Sequence, residues 1–152
     1  MASVSTVEAE IKISRPLPEV FDFSVAVDRW REWQVRFAEV EQTSPGPFGT
    51  GTTLRTVSEA VGKRFESRSE VTEFVPNQLI VFEGRSEVTT FASRWSFDEP
   101  ATGTTRLVVK LESTTRDGAV LAKLARPWLT RVFRKRLEAD LEAMKMVLEA
   151  QD

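Results

Sequence analysis

The apolar pattern of this chain changes period once, and that change decides most of what it can fold into. Strand-like segments follow one another at short intervals: Thr52 to Glu59, Lys63 to Phe74, Leu79 to Arg85, Val88 to Phe97 and Thr105 to Glu112. Turn-forming residues separate them at Val61-Gly62, Pro76-Asn77, Ser86-Glu87 and Asp98 to Gly103. No helix-length segment lies between, so antiparallel hairpins are expected and parallel crossovers are not. From Leu121 onward Leu124, Trp128, Leu129, Val132, Phe133, Leu137, Leu141, Met144, Val147 and Leu148 fall three and four apart, the spacing of one helix face. Such a helix is roughly 35 Å long or more. Asp117 is its expected N-cap, and Pro127 either kinks it or starts a second helix. An antiparallel sheet buries a stripe of that length by curling around it.

Ahead of these elements, Val7, Ala9, Ile11 and Ile13 alternate with Glu8, Glu10 and Lys12, as in a half-buried strand. Ser14 or Leu17 is placed to cap a short helix through Val20, Phe21 and Phe23. A second short helix is expected over Asp28 to Trp33, with Trp30 and Trp33 on one face, and a strand over Val35 to Glu41. Ser44 to Gly51 is a loop dense in Pro and Gly, with Phe48 either a lid or part of a plain connection. The order is strand, two short helices, six strands, long helix. At 152 residues, without repeats or linkers, this describes one α+β domain over residues 1–152.

Charge parity assigns the faces of the strands. Arg64, Glu66, Arg68 and Glu70 share one side, which leaves Phe65, Ser67, Ser69 and Val71 on the inner one. Arg55 and Glu59 put Leu54, Thr56 and Ser58 inside, and Arg94 puts Thr89, Phe91, Ser93, Trp95 and Phe97 inside. Between Leu79 and Glu83, Ile80 and Phe82 are the inner pair because that choice keeps Glu83 in water. The inner face is thus rich in short hydroxyls where a solid core would hold Leu, Ile and Val. Either space remains between sheet and helix for a ligand that the hydroxyls orient, or the hydroxyls sit near strand ends in water and the centre is full.

The residue types that are missing narrow the chemistry. There is no Cys, His or Tyr, which excludes disulfides, thiolate nucleophiles, histidine-ligated metals and a Ser-His-Asp triad. No cofactor and no metal site is expected. The net charge of −2 gives no overall pull toward nucleic acid or anionic membrane. No apolar run approaches the ~18 to 20 residues needed to span a bilayer, and the first residues lack the basic and apolar regions of a signal peptide. A soluble, cytoplasmic protein without stable membrane insertion is expected, and a homodimer is left open.

Glu10-Ile11-Lys12-Ile13-Ser14-Arg15-Pro16-Leu17-Pro18-Glu19-Val20-Phe21-Asp22-Phe23, followed by Trp33, resembles the opening of the START/polyketide-cyclase-like (SRPBCC) superfamily. Gly49-Thr50-Gly51-Thr52, Val71 to Pro76, Trp95-Ser96-Phe97 and Gly103 to Leu107 fall where that family has its Gly-Thr turns, its bend and its penultimate hairpin. The resemblance covers nearly the whole chain in order. It implies a helix-grip fold, with a seven-stranded antiparallel sheet curled around a long C-terminal helix and two short helices after strand 1. It also implies a cavity for a lipid, polyketide, sterol or other apolar molecule. Some relatives are cyclases or dehydratases, others carry ligands or assist protein partners.

Candidate ligand-binding residues are Trp33, Leu54, Thr56, Ser67, Ser69, Phe91, Ser93, Trp95, Trp128 and Arg136. The hydroxyls lead, because a short polar side chain facing inward packs little. Trp33 either walls the cavity or packs the short helices onto the sheet, Trp95 and Phe91 fit the core as well as a ligand, and Trp128 and Phe133 are expected in the core ahead of a ligand contact. Arg126, Arg131, Arg134, Lys135 and Arg136 form a basic cluster, either a solvated face or a site for an anionic headgroup, a carboxylate or an acidic partner. Arg136, beside Leu137, is the member expected to reach inward. No catalytic constellation is visible, since an acid or base in a dry cavity is needed and the assigned inner faces hold no carboxylate unless Glu83 turns in. A carrier of an apolar molecule is the leading function, a cyclase or dehydratase the alternative, and an interaction module third.

Overall fold

The strands pair in the order β1-β7-β6-β5-β4-β3-β2, every pair antiparallel, as hairpin-length connections require. The computed structural model describes residues 3–60, 62–87, 89–115 and 126–151. The strands are β1 (Ser3–Ile13), β2 (Phe37–Gln42), β3 (Thr53–Ala60), β4 (Lys63–Val75), β5 (Leu79–Arg85), β6 (Thr89–Ala101) and β7 (Thr104–Thr115). Helix α1 (Leu17–Val25) and a 3-10 helix (Val27–Glu32) follow β1, and α2 (Arg126–Glu149) closes the chain. Asp117 and Leu121 lie outside the described residues, while Pro127 stands in the first turn of α2 as described.

Several local details depart from the sequence expectation. The N-cap of α1 is Pro16, which has no side-chain acceptor, so neither Ser14 nor Leu17 plays that part. The Leu17 N–H is instead met by Glu99 Oε2 at 3.3 Å, from the β6–β7 hairpin. That hairpin is longer than Asp98 to Gly103 suggests. β6 runs on to Ala101 across a register shift between Asp98 and Ala101, and this bulge accommodates Pro100, which has no N–H to give a ladder. The turn closes at Gly103, whose φ of +79° suits glycine.

Helix α2 lies alongside β1 and runs the same way. The Ser5 and Thr130 hydroxyls meet at 3.1 Å near the starts of both elements. Near their ends Lys145 Nζ donates to Lys12 O at 2.7 Å, the Ser14 N–H to Glu149 Oε2 at 2.8 Å, and Arg15 Nε to Leu148 O at 2.9 Å. Nine residues of strand and nineteen of helix both span about 30 Å, which is why the two can run in step.

The inner face of the sheet carries the core. Ile13, Leu54, Val71, Ile80 and Leu107 meet Val20 of α1 and Leu141, Met144 and Leu148 of α2, all at most 2% exposed. Eight rings run through one side of this core without a break. Phe97 meets Phe21 (5.1 Å between centroids), Phe21 meets Phe74 (5.6 Å), and Phe48 touches Phe74 and Phe82. Phe82 then meets Trp95 at 4.7 Å, and Trp95 meets both Trp30 and Trp33. Phe48 is therefore a packed residue of a plain connection. Ile80 and Phe82 point in and Glu83 points out, as the cost of burying a carboxylate demands.

At Gly84 the sheet has no room for a side chain. A Cβ there would lie 2.5 Å from Arg68 O, 2.6 Å from Phe91 Cζ and 2.7 Å from Ser69 Cβ. The Phe91 ring thus occupies the inner face over Gly84, in register with it. Gly84→Ala is expected to cost about 1–3 kcal/mol by urea denaturation. Adding Phe91→Leu should restore little of it, because Arg68 O is backbone and cannot step aside. Full recovery in the double variant would show that the ring alone set the limit.

Candidate functional site

The contact between sheet and α2 is sealed along one half and more exposed along the other. Along the core-facing stripe of α2, Asp140, Leu141, Met144 and Leu148 are at most 4% exposed. Phe133 belongs to the same stripe by helical spacing, yet 37% of it remains exposed. Under this first half of α2 lie the hairpin ends of the strands. There the inner face carries Ser5, Ser67, Ser69, Phe91, Ser93 and Ser113, all half-buried, and Phe65, which is 37% exposed. Of the two readings of the hydroxyls, the burial pattern matches the one that sets them near strand ends around a full centre. The aromatic half is full, and the hydroxyls gather at the other end.

Cross-strand register joins most of the expected site residues. One row runs Ser113–Phe91–Gly84–Ser69–Leu54, and its neighbours are Leu111–Ser93–Phe82 and Ser67–Thr56. Thr56 is buried at 9% and Leu54 at 1%, so Leu54 belongs to the core under the row. Trp95 sits where the two halves meet, its Nε1 donating to Ser93 Oγ at 3.0 Å. Trp33 packs edge-on against Trp95 with centroids 5.6 Å apart, and so fastens the 3-10 helix to the sheet. Trp128 lies in the first turn of α2, and its side chain is outside the described residues. Arg136 is exposed.

Three features were not found from the sequence. Trp33 Nε1 and Gln34 Nε2 are buried donors without a protein partner, and leaving such a group unmet costs about 1–3 kcal/mol. An acceptor oxygen, from water or a ligand, would satisfy either. The third feature is an ion pair between Arg36 and Asp140, which links the segment before β2 to α2. The Arg36 guanidinium also lies 4.5 Å from the Phe37 ring centroid. Asp140 falls on the stripe of Leu137, Leu141 and Met144, so a charge inside an apolar period was the available signal. Burial pushes the Asp140 carboxyl above its ordinary range, while the charges of Arg36 and, more weakly, Arg136 pull it down.

Two open depressions lie elsewhere. One of about 430 Å³ sits between Val25, Ala26 and Val27 on one side and Val40, Pro47 and Phe48 on the other. The second, about 520 Å³, is lined by Arg68, Glu70, Glu83 and Arg85 of the outward side of the sheet and also by Leu54, Ser69 and Gly84 of the inner row. No residue of α2 lines either. No helix among the described residues is long and apolar enough to cross a membrane.

A seven-stranded antiparallel sheet holding a long C-terminal helix, with two short helices after the first strand, defines the helix-grip class. Residues 5–149 match the family described as polyketide cyclase / dehydrase and lipid transport, and the chain belongs to that family. Among solved structures it is similar to TTHA0849 of Thermus thermophilus (20% identity, TM-score 0.79, 97% of this chain and 99% of that one). A START superfamily protein of Mycobacterium smegmatis matches at 14% identity and TM-score 0.78, over 95% and 97% of the two chains. The ZhuI aromatase/cyclase of a Streptomyces species matches at 20% identity and TM-score 0.77, over 97% and 94%. No curated protein matches the sequence.

The raised Asp140 carboxyl has a definite effect on stability. As pH rises above about 4, the unfolded chain releases this proton while the folded chain keeps it, so stability falls until the raised value is passed. Asp140→Asn removes that slope. The unfolding free energy of the wild type, relative to the Asn variant, should therefore drop as the pH rises above about 4. A relative stability that climbs with pH would mean that the Arg36 charge outweighs burial.

Proposed function

We propose that residues 1–152 form a single domain that binds an apolar small molecule (a lipid, an isoprenoid or a polyketide-like compound) between the first half of α2 and the inner face of the sheet. The exposure of Phe133 carries this reading. A ring on the core-facing stripe stays at 37% where residues further along the same stripe are at 0–4%, so the grip is incomplete at this end. Phe91 and Trp95 would supply the apolar wall, with Leu54 and Trp33 packed behind it, and Ser67, Ser69 and Ser93, with Thr56 next to them, would orient the ligand. Trp128 and Arg136, on the same half of α2, would stand at the rim. Burying about 250 Å² of apolar ligand surface is worth roughly 6 kcal/mol before association costs, so micromolar affinity needs a few polar contacts as well.

The lipid-transport part of the family description and the START relative favour carriage, and the aromatase/cyclase relative favours the alternative. A cyclase or dehydratase needs an acid or base facing the ligand. Glu83 is exposed on the outward face and Asp140 is engaged by Arg36, which supports the carrier reading.

Native mass spectrometry of the freshly purified protein, with extraction of any adduct, tests the proposal together with a filling variant. Ser67→Leu should reduce ligand occupancy at least about tenfold while leaving the denaturation midpoint unchanged or higher, since it fills space without disturbing the packed half. Failure to bind any member of a lipid, isoprenoid and polyketide panel would sink the idea. So would a Ser67→Leu protein that is less stable and binds as before.

A further inference from the structure

Two rows of like charge lie side by side on the outward face of the sheet, the face turned away from α2. Arg55, Arg68 and Arg85 are register partners across β3, β4 and β5, and Thr90 of β6 continues that row. Two residues along the strands, Glu70 and Glu83 are partners, with Thr53 next to Glu70. Side chains directly opposite on one face of an antiparallel pair have Cβ atoms ~5 Å apart, and like charges placed there are destabilising. Elsewhere on the same face opposite charges meet across the strands, Arg106 with Asp98 at 2.8 Å and Arg55 with both Glu66 and Glu39.

The other four charges do not neutralise one another. Arg68 meets only Glu66 Oε1, at 3.5 Å, an atom that Arg55 already holds. Among the described residues Arg85, Glu70 and Glu83 are exposed and in no ion pair. Yet an Arg and a Glu stand two places apart on each strand, with side chains long enough to meet. The four side chains instead line one depression of about 520 Å³, completed by Leu54, Ser69 and Gly84, which lie between the two rows along the strands.

Two guanidiniums at one end of a depression and two carboxylates at the other fit a molecule that carries both charges. Guanidiniums receive an oxyanion through parallel N–H donors, and an ammonium has three donors to divide between two carboxylates. At ~3.3 Å per residue the rows are ~7 Å apart, a distance bridged by a short chain of atoms. A divalent metal on the glutamates would set its charge against both guanidiniums, and an anion alone would do the same to the carboxylates.

We infer that the depression between Arg68, Arg85, Glu70 and Glu83 binds a small zwitterion, with its oxyanion on the arginines and its ammonium on the glutamates. The Thr90 hydroxyl, beside Arg85, is placed to donate to the oxyanion. This site lies on the opposite face of the sheet from the proposed apolar ligand and does not depend on it.

The test follows the amide shifts of the full chain during titration at about 20 mM salt with two zwitterions, 3-aminopropyl phosphate and 5-aminovalerate. Propyl phosphate, pentanoate and propylamine, which carry one kind of charge, are the comparison. Residues 68–70 and 83–85 should shift, and at least one zwitterion should bind about tenfold more tightly than its counterparts. The better of the two identifies the oxyanion as phosphate or carboxylate. Glu83→Gln should remove that tenfold advantage while propyl phosphate binds as well or better. It should also melt at or above the wild-type temperature, because a like-charge contact is gone. Zwitterions that bind no more tightly than their counterparts, shifts spread over the whole outward face, or unchanged selectivity in Glu83→Gln would each overturn the inference. Binding of an apolar ligand on the inner face is unaffected by any of these results.

Discussion

Burial of Leu141, Met144 and Leu148 against the inner face of the sheet is the contact on which the other features depend. A seven-stranded sheet with free edges has one face to hide, and a single helix stripe has to hide it. The second half of α2 is apolar and closely packed enough to do so. The first half places Phe133 where packing stops, and the strand ends beneath it supply serines. Apolar burial is therefore concentrated at one end, where α1, the 3-10 helix and the aromatic chain add to it. The other end is left with few contacts of its own.

Much of this was legible from local alternation. Arg64, Glu66, Arg68 and Glu70 gave the faces of β4, and Glu83 decided those of β5, because a charge and its neighbours in a strand must take opposite sides. The resemblance of Glu10 to Phe23 to the family opening agreed with the element order. What stayed hidden depends on partners distant in sequence. Arg36 and Asp140 are 104 residues apart, and Glu99 reaches the start of α1 from 82 residues away. Gly84 looks like any glycine until Phe91, Ser69 and Arg68 are seen around it.

The site shows the same division. Parity assigned the inward side of each strand, yet parity does not say how far along a strand the core extends. Leu54 and Ser69 are register partners, and one is sealed while the other is half-buried. Arg136 and Asp140 are one helical turn apart, and the acid, not the base, occupies the buried position. The α-helical period separates them by about 40°, enough to place one on the packed stripe and the other beside it.

Among the described residues, α2 is tied most firmly through its last turns, like a beam held near one end. Three hydrogen bonds from Lys145, Glu149 and the Leu148 carbonyl tie its last turns to the corner after β1. Its earlier turns lie over small side chains and meet β1 through two hydroxyls. A small tilt about the clamped end is magnified along ~1.5 Å per residue of helix, so a change of a few degrees becomes a widening of an ångström or more near Thr130. The distance between the first half of α2 and the sheet can then vary while the packed half keeps its register.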